Sequence, residues 1–439
     1  ELGVSSYRGD GNHVAVTPFD TTAGAPVPAD TSPLISEMPE VSRDSSRAHR
    51  YLPWGALIPR YWTPVTGTSD QGYFEIGIFT SAYDPVQRHS YTLQALYNVR
   101  RPGEPDLTAT YEYRGFTQPV IDFGAATFWD HERIADTSGR TVGLLVHRTT
   151  ALSLAETLLR PRVRTNASWT VGGELEFRDY HAEPDSLLGF LDPVYGSHPV
   201  YPSVFTSASW SNAQYPELAI SPENGVSLTG TATGQWQPGS GPTSGAAQYL
   251  VGIADLYRAL DLPGYAHHVV AARLAAGWET SNSASTFSAG GPTGQPVQLV
   301  PGITVGDEPR VFSVRGFGPG AARGTRAWVG SLEYRLPLSM PGRGWRLLPL
   351  FLGRTSLTAF TDAGEAWCQA AGGALPAACS AADAQRRLMS SAGAELDLDA
   401  ALQYDVPYRF RLGLAAPTSN RSFYGAAPVA AYLSVGVSF

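Results

Sequence analysis

The chain has no lysine: all 31 of its positive residues are arginine. Beside abundant Ala, Gly and Pro, that reads as the mark of a GC-rich genome rather than of function. It also lacks any run of about eighteen apolar residues, which excludes a spanning helix. Charged residues are only 16% of the 439, against about 25% in soluble domains. A net charge of −8, with no basic run, argues against a nucleic-acid partner. Cysteine is scarce. The two present, Cys368 and Cys379, lie close together in a Gly/Ala-rich loop. In an oxidising compartment such a pair reads as a local disulfide, two unrelated thiols being the other reading. No His lies nearby to make a metal site of them. The chain begins at Glu1 with neither Met nor signal peptide, so we expect the later part of a longer precursor.

What is present is alternation. From Val429 to Phe439, Val429, Ala431, Leu433, Val435, Val437 and Phe439 fall on one face, and Ala430, Tyr432, Ser434, Gly436 and Ser438 on the other. Successive side chains of a strand point to opposite faces, so this is one greasy wall and one small, polar wall. Residues 226–236 repeat the pattern: Val226, Leu228, Ala232 and Trp236 stand opposite Ser227, Thr229, Thr231, Thr233 and Gln235. A soluble sandwich alternates too. Strands of ten or more residues, and Tyr and Trp recurring at their ends, favour a bilayer.

Residues 1–50 differ. They are rich in Pro, Ser, Thr and Asp and show no sustained period, which predicts a linker or N-terminal extension ahead of a barrel over 51–439. The barrel segments number about sixteen, an even count as bacterial barrels require. Their predicted starts lie near residues 56, 72, 88, 106, 117, 140, 163 and 203, then 225, 247, 266, 324, 355, 387, 404 and 428. Tight turns are expected at 84–87, 115–118, 221–224 and 261–264, and longer links at 181–202, 281–323 and 368–386. Short turns at one end and long loops at the other put the N-terminus on the periplasmic side. Residue 315 then falls in the sixth outer loop.

That loop holds Val314-Arg-Gly-Phe317, followed by a strand containing Ser331-Leu-Glu-Tyr-Arg335 and another containing Phe360-Thr-Asp-Ala-Gly364. These motifs resemble the BamA/TamA superfamily of outer-membrane assembly and secretion barrels, the bacterial surface antigen family. The likeness is strong over 311–439, rests on strand rhythm over 51–310, and is absent over 1–50. It implies an all-β, transmembrane antiparallel barrel of 16 strands in the bacterial outer membrane, with its long sixth extracellular loop folded into the lumen. It further implies that the VRGF tip, Val314, Arg315, Gly316 and Phe317, is pinned to the inner wall. The last strand, with Gly436 and the terminal aromatic Phe439, would close the barrel at a seam with the first.

Spacing aims the carboxylates. Phe360 and Asp362 share one face of their strand, Glu333 and Arg335 one face of theirs, and Glu395, Asp397 and Asp399 one face of a third. Asp362 is expected as the main partner of Arg315, with Glu333 or Glu395 secondary and Phe317 covering the pair. A guanidinium forks onto a carboxylate through two charge-assisted hydrogen bonds, which a lysine cannot reproduce.

Other candidates are weaker. Asp130-His131-Glu132 reads as an exposed loop. His267 and His268, being adjacent in a strand, point to opposite faces and do not easily share a metal. Gly239 to Gly245 lacks the Lys-Ser/Thr ending of a phosphate cradle. The expectation is therefore a monomeric barrel in outer-membrane lipid, not an enzyme, with no cofactor and no metal. It would insert or translocate a client or passenger polypeptide, or lipid. Its POTRA, propeller or hydrolase domain would lie upstream in the precursor, on the periplasmic side. The alternatives are a passive solute pore, a membrane anchor or exporter for an upstream domain, and an outer-membrane enzyme.

Overall fold

A computed structural model describes residues 2–8, 11–17, 51–69, 73–135, 140–190, 196–239, 244–282, 286–292, 297–300, 303–305, 311–344, 350–370, 375–376, 379–402 and 406–436. A hairpin comes first, β1 (Leu2–Arg8) and β2 (Gly11–Thr17). The wall then runs β3 (Thr63–Thr68), β4 (Phe74–Tyr83), β5 (His89–Asn98), β6 (Pro105–Tyr113), β7 (Val120–Ala135), β8 (Thr141–Pro161), β9 (Asn166–Glu183), β10 (Val200–Ser211), β11 (Gly225–Gln237), β12 (Gly245–Leu260) and β13 (His268–Glu279). The connection that follows holds five short strands: β14 (Phe287–Ala289), β15 (Val297–Val300), β16 (Ile303–Val305), β17 (Val311–Phe312) and β18 (Ala322–Gly324). The wall resumes with β19 (Arg326–Ser339), the two-residue β20 (Arg343–Gly344), β21 (Leu350–Trp367), β22 (Met389–Leu402), β23 (Val406–Pro417) and β24 (Ala430–Gly436).

These wall strands form a closed antiparallel barrel in which β24 neighbours β3. There are 16 of them, with β20 as a fragment beside β21, so the sixteen-strand expectation holds. Most observed starts lie within a few residues of the expected ones. The largest miss is β3, which begins at Thr63 rather than near 56. Pro53, Gly55 and Pro59 precede it, and residues 54–58 turn instead of pairing. A second difference is the β1–β2 hairpin, which lies in a stretch where no period was read. Residues 18–50 and the closing Phe439 lie outside the described residues.

The faces follow from period two. Leu228, Leu250, Leu274, Leu332, Leu412, Leu414 and Leu433 are each 44–62% exposed on the outer wall. A soluble monomer seldom shows so wide an apolar belt, and a bilayer is the solvent that accepts it. The inner face carries Ser, Thr, Tyr and the charged residues. The longest connections gather at one end of the barrel, while the links between β3 and β9 are short at both ends. At one end, the turn end, lie 84–88, 114–119, 162–165 and 261–267; at the other, the loop end, lie 184–199, 280–325 and 368–388. One turn departs from expectation. The tight turn read at 221–224 is only the return arm of a longer segment, 212–224, closed by a Gln214–Asn224 bridge.

Candidate functional site

The 280–325 connection folds back over the inner wall. Its strands β14, β17 and β18 form a small sheet, with β17 and β18 flanking β14. From this sheet Phe287, Ala289, Phe312 and Ala322 are buried, together with Val314 and Phe317, against Ala275, Ala327, Val329, Ala366 and Met389 of the wall. The packing depends on absent side chains. A Cβ on Gly277 would meet the Phe287 ring at 2.8 Å, and one on Gly364 would meet Val314 Cγ2 at 3.0 Å. Two wall glycines are thus sockets for loop side chains, and neither was singled out as a socket from sequence.

Beyond this apolar shelf the tip turns. Gly316 has φ of 92°, a left-handed conformation that a side chain resists. Its Cα also lies against Ala415 and Pro417, where an added Cβ would approach to 3.2 and 3.4 Å. The turn delivers Arg315, only 4% exposed, to the wall. Its backbone N–H donates to Asp362 Oδ2 at 3.0 Å, Nε to the same oxygen at 2.8 Å, and Nη2 to Asp362 Oδ1 at 2.7 Å. Nη1 lies 2.9 Å from Glu395 Oε2 and 2.8 Å from Glu333 Oε1. The structure therefore brings all three carboxylates to one guanidinium, with Asp362 holding it as a fork.

Further residues complete the site. Ser331 accepts from Arg315 Nη2 at 2.9 Å and donates to Asp362 Oδ1 at 2.7 Å. Arg335 donates twice to Glu333 Oε2, at 2.9 and 2.8 Å. Tyr432, on the last strand, donates to Glu395 Oε1 at 2.6 Å. Ser331 lies two residues from Glu333 and so on its face, a signal that period two already offered. The cover differs from expectation. Phe360 stacks on the guanidinium, with Cζ 3.6 Å from its ring centroid. Phe317 instead packs edge-on against Tyr424 at 5.6 Å, within the apolar shelf. The reason is register: Phe360 lies two residues from Asp362 on the same inward face, whereas Phe317 lies past the Gly316 turn.

This cluster is a hook: a fully paired cation held by three strands. The remaining candidates fall elsewhere. Gly436 pairs with Arg409 in the β23–β24 ladder. Cys368 and Cys379 are joined by a disulfide across the loop-end connection after β21. Asp130-His131-Glu132, expected as an exposed loop, instead lies within β7, paired with β8; Asp130 meets His147 at 3.3 Å while the buried ring of His131 meets Glu104 at 3.0 Å. His267 pairs with Glu223, and His268 with Tyr334.

No family model matches the sequence, and no curated protein sequence matches it. Among solved structures the chain is similar to CdiB from Escherichia coli, at 13% identity and a TM-score of 0.50, over 89% of this chain and 64% of that one. BamA from Haemophilus ducreyi lacking POTRA domains 1–3 gives 13% identity and 0.46, over 85% and 68%. CdiB from Acinetobacter baumannii gives 12% identity and 0.44, over 85% and 58%. The likeness to the Escherichia coli protein is one of fold: a closed barrel of this type, spanning 64% of that protein's length.

Proposed function

We propose that this chain is a bacterial outer-membrane barrel of the BamA/TamA type, inserting or translocating polypeptide, with Arg315 as the anchor of its lumen loop. In this reading the turn end faces the periplasm, the loop end faces outward, and a single barrel works in lipid without a cofactor. The observation that carries the proposal is the hook. A loop tip drawn deep enough to meet Asp362, Glu333 and Glu395 together occupies the space that a passive solute pore leaves open. The same contact ties β19, β21 and β22 to one side chain, which stiffens the wall next to the closing strands. Breaking a buried pair costs roughly 3–5 kcal/mol, and a wet lumen lowers that figure.

The test is conductance together with transport. Reconstituted in a planar bilayer, the protein should show small, fluctuating currents, and Arg315→Ala should enlarge them while reducing delivery of client polypeptide in cells. A large, steady current from the unaltered protein would replace this proposal with the solute-pore reading.

A further inference from the structure

The barrel has a second obstruction, on the turn-end side of the hook. The 212–224 segment between β10 and β11 does not hang below the wall. Its tip is sealed, with Ala219, Ile220 and Ser221 at 0–1% exposure. Near its base Ala213 packs on Tyr257, Val269 and Ala271. Those residues face inward, because Val269 and Ala271 stand opposite Arg335 and Glu333 in the ladder. At its tip the backbone carbonyls are captured. Arg354 of β21 donates to the carbonyls of Glu217, at 3.1 Å, and of Ala219. Arg409 of β23 donates to the Ile220 carbonyl at 2.7 Å. Asp399 holds both arginines, at 3.4 Å from Arg354 Nε and 2.5 Å from Arg409 Nε. On the return arm Glu223 meets His267 at 2.9 Å.

The distance covered decides what this means. Between β11 and β23 stand β12, β13, β19, β21 and β22. Six ladder steps of about 4.8 Å make roughly 29 Å of wall. In a circular sixteen-strand barrel that arc subtends a chord of roughly nine-tenths of the diameter. A hairpin arm of about six extended residues reaches roughly 20 Å, and the two arginine side chains cover the rest. That reach carries the segment from β11, past Tyr257, Val269 and Ala271, to β21 and β23 over the turn end of the lumen.

We propose that 212–224 is a turn-end plug, latched by Arg354 and Arg409, that must swing away before anything passes through the lumen. The latch suits that duty. Its acceptors are main-chain carbonyls, so the arginines keep Asp399 as a partner when the plug leaves, and opening strands no bare charge. This inference rests on the passage reading above. Two obstructions on one axis act in series, so relieving either alone leaves the other limiting.

The test uses the full chain in a planar bilayer, with residues 215–223 replaced by a short Gly-Ser link across the Gln214–Asn224 bridge. Alone, this variant should raise the current modestly. Combined with Arg315→Ala it should raise it several-fold above Arg315→Ala by itself. A combined variant that conducts no better than Arg315→Ala overturns the plug. Should the shortened barrel fail to fold, cysteine labelling decides. Both native cysteines are disulfide-bonded, so an introduced thiol is unique. Ile220→Cys should react with a bulky maleimide about tenfold slower than Val86→Cys in an exposed turn, the suppression that a closed-to-open cost of about 1.4 kcal/mol imposes. Equal rates overturn the plug. A doubly altered barrel that conducts freely, from a protein that moves no polypeptide when unaltered, keeps the plug and removes the passage reading instead.

Discussion

The two halves of the inner wall obey the same alternation and end in opposite states. On β19, β21 and β22 the inward residues are charged and sealed: Glu333, Asp362, Glu395 and Asp397 are all buried, and each is paired or hydrogen-bonded. On β5 to β11 the inward residues include rungs of small hydroxyls. Thr92 meets Thr110 at 2.6 Å, Ser168 meets Ser209 at 2.7 Å, and Ser207 meets Thr231 at 3.3 Å. These rungs stay half open to the lumen. The difference does not lie in the strands. It comes from the connections, because the 280–325 loop and the 212–224 turn both lay their tips on the β19–β23 side. Covering polar groups requires partners for them, and the covered half supplies charges; the other half mixes its hydroxyl rungs with charged pairs of its own, such as Glu176 with Arg178.

The comparison can be broken most sharply at the hook. Arg315→Ala should lower stability by up to roughly 3–5 kcal/mol, read as a lower temperature for loss of the folded band on a semi-native gel. Arg315→Lys should recover little of it, since an ammonium cannot fork onto Asp362 while also meeting Glu333 and Glu395. Next in size, Gly364→Val fills the socket of Val314 and should cost about 1–3 kcal/mol by overpacking; a neutral result would remove the socket from the account. Reduction of Cys368–Cys379, which closes a short loop, should lower the melting midpoint by an amount equivalent to about 2–3 kcal/mol. The smallest effect belongs to the hydroxyl half. Thr231→Val removes one exposed rung and should stay within about 1 kcal/mol. If Thr231→Val were as damaging as Arg315→Ala, the contrast between the halves would be an illusion.

The wall was legible because period two is a local rule. Leu228 and Thr229 choose their faces whatever lies across the barrel, so strand number and inner face could be read directly. The common face of Glu333, Asp362 and Glu395 follows from the same rule, and it is the face that Arg315 meets. What the rule cannot reach is the path of a connection. Pro216 and Pro222 mark 212–224 as a turn, yet nothing local says that Arg354 and Arg409, far along the chain, will capture its carbonyls. The exchange of Phe317 for Phe360 has the same origin: a cover is set by where a loop lands. The start of β3 was missed for a different reason, since aromatic spacing in 51–62 imitates a strand that Pro53 and Pro59 prevent.

The hook also sets an order of assembly. Arg315 reaches forward over 47 residues to Asp362 and 80 to Glu395, and Arg409 reaches back 189 residues to Ile220. Contacts of such separation close only after the intervening strands have paired, because the loop entropy must be met before the contact repays it. Neither the hook nor the latch can therefore start the barrel. Each forms when its half of the wall already stands, so together they act as late checks that the chain has folded in register.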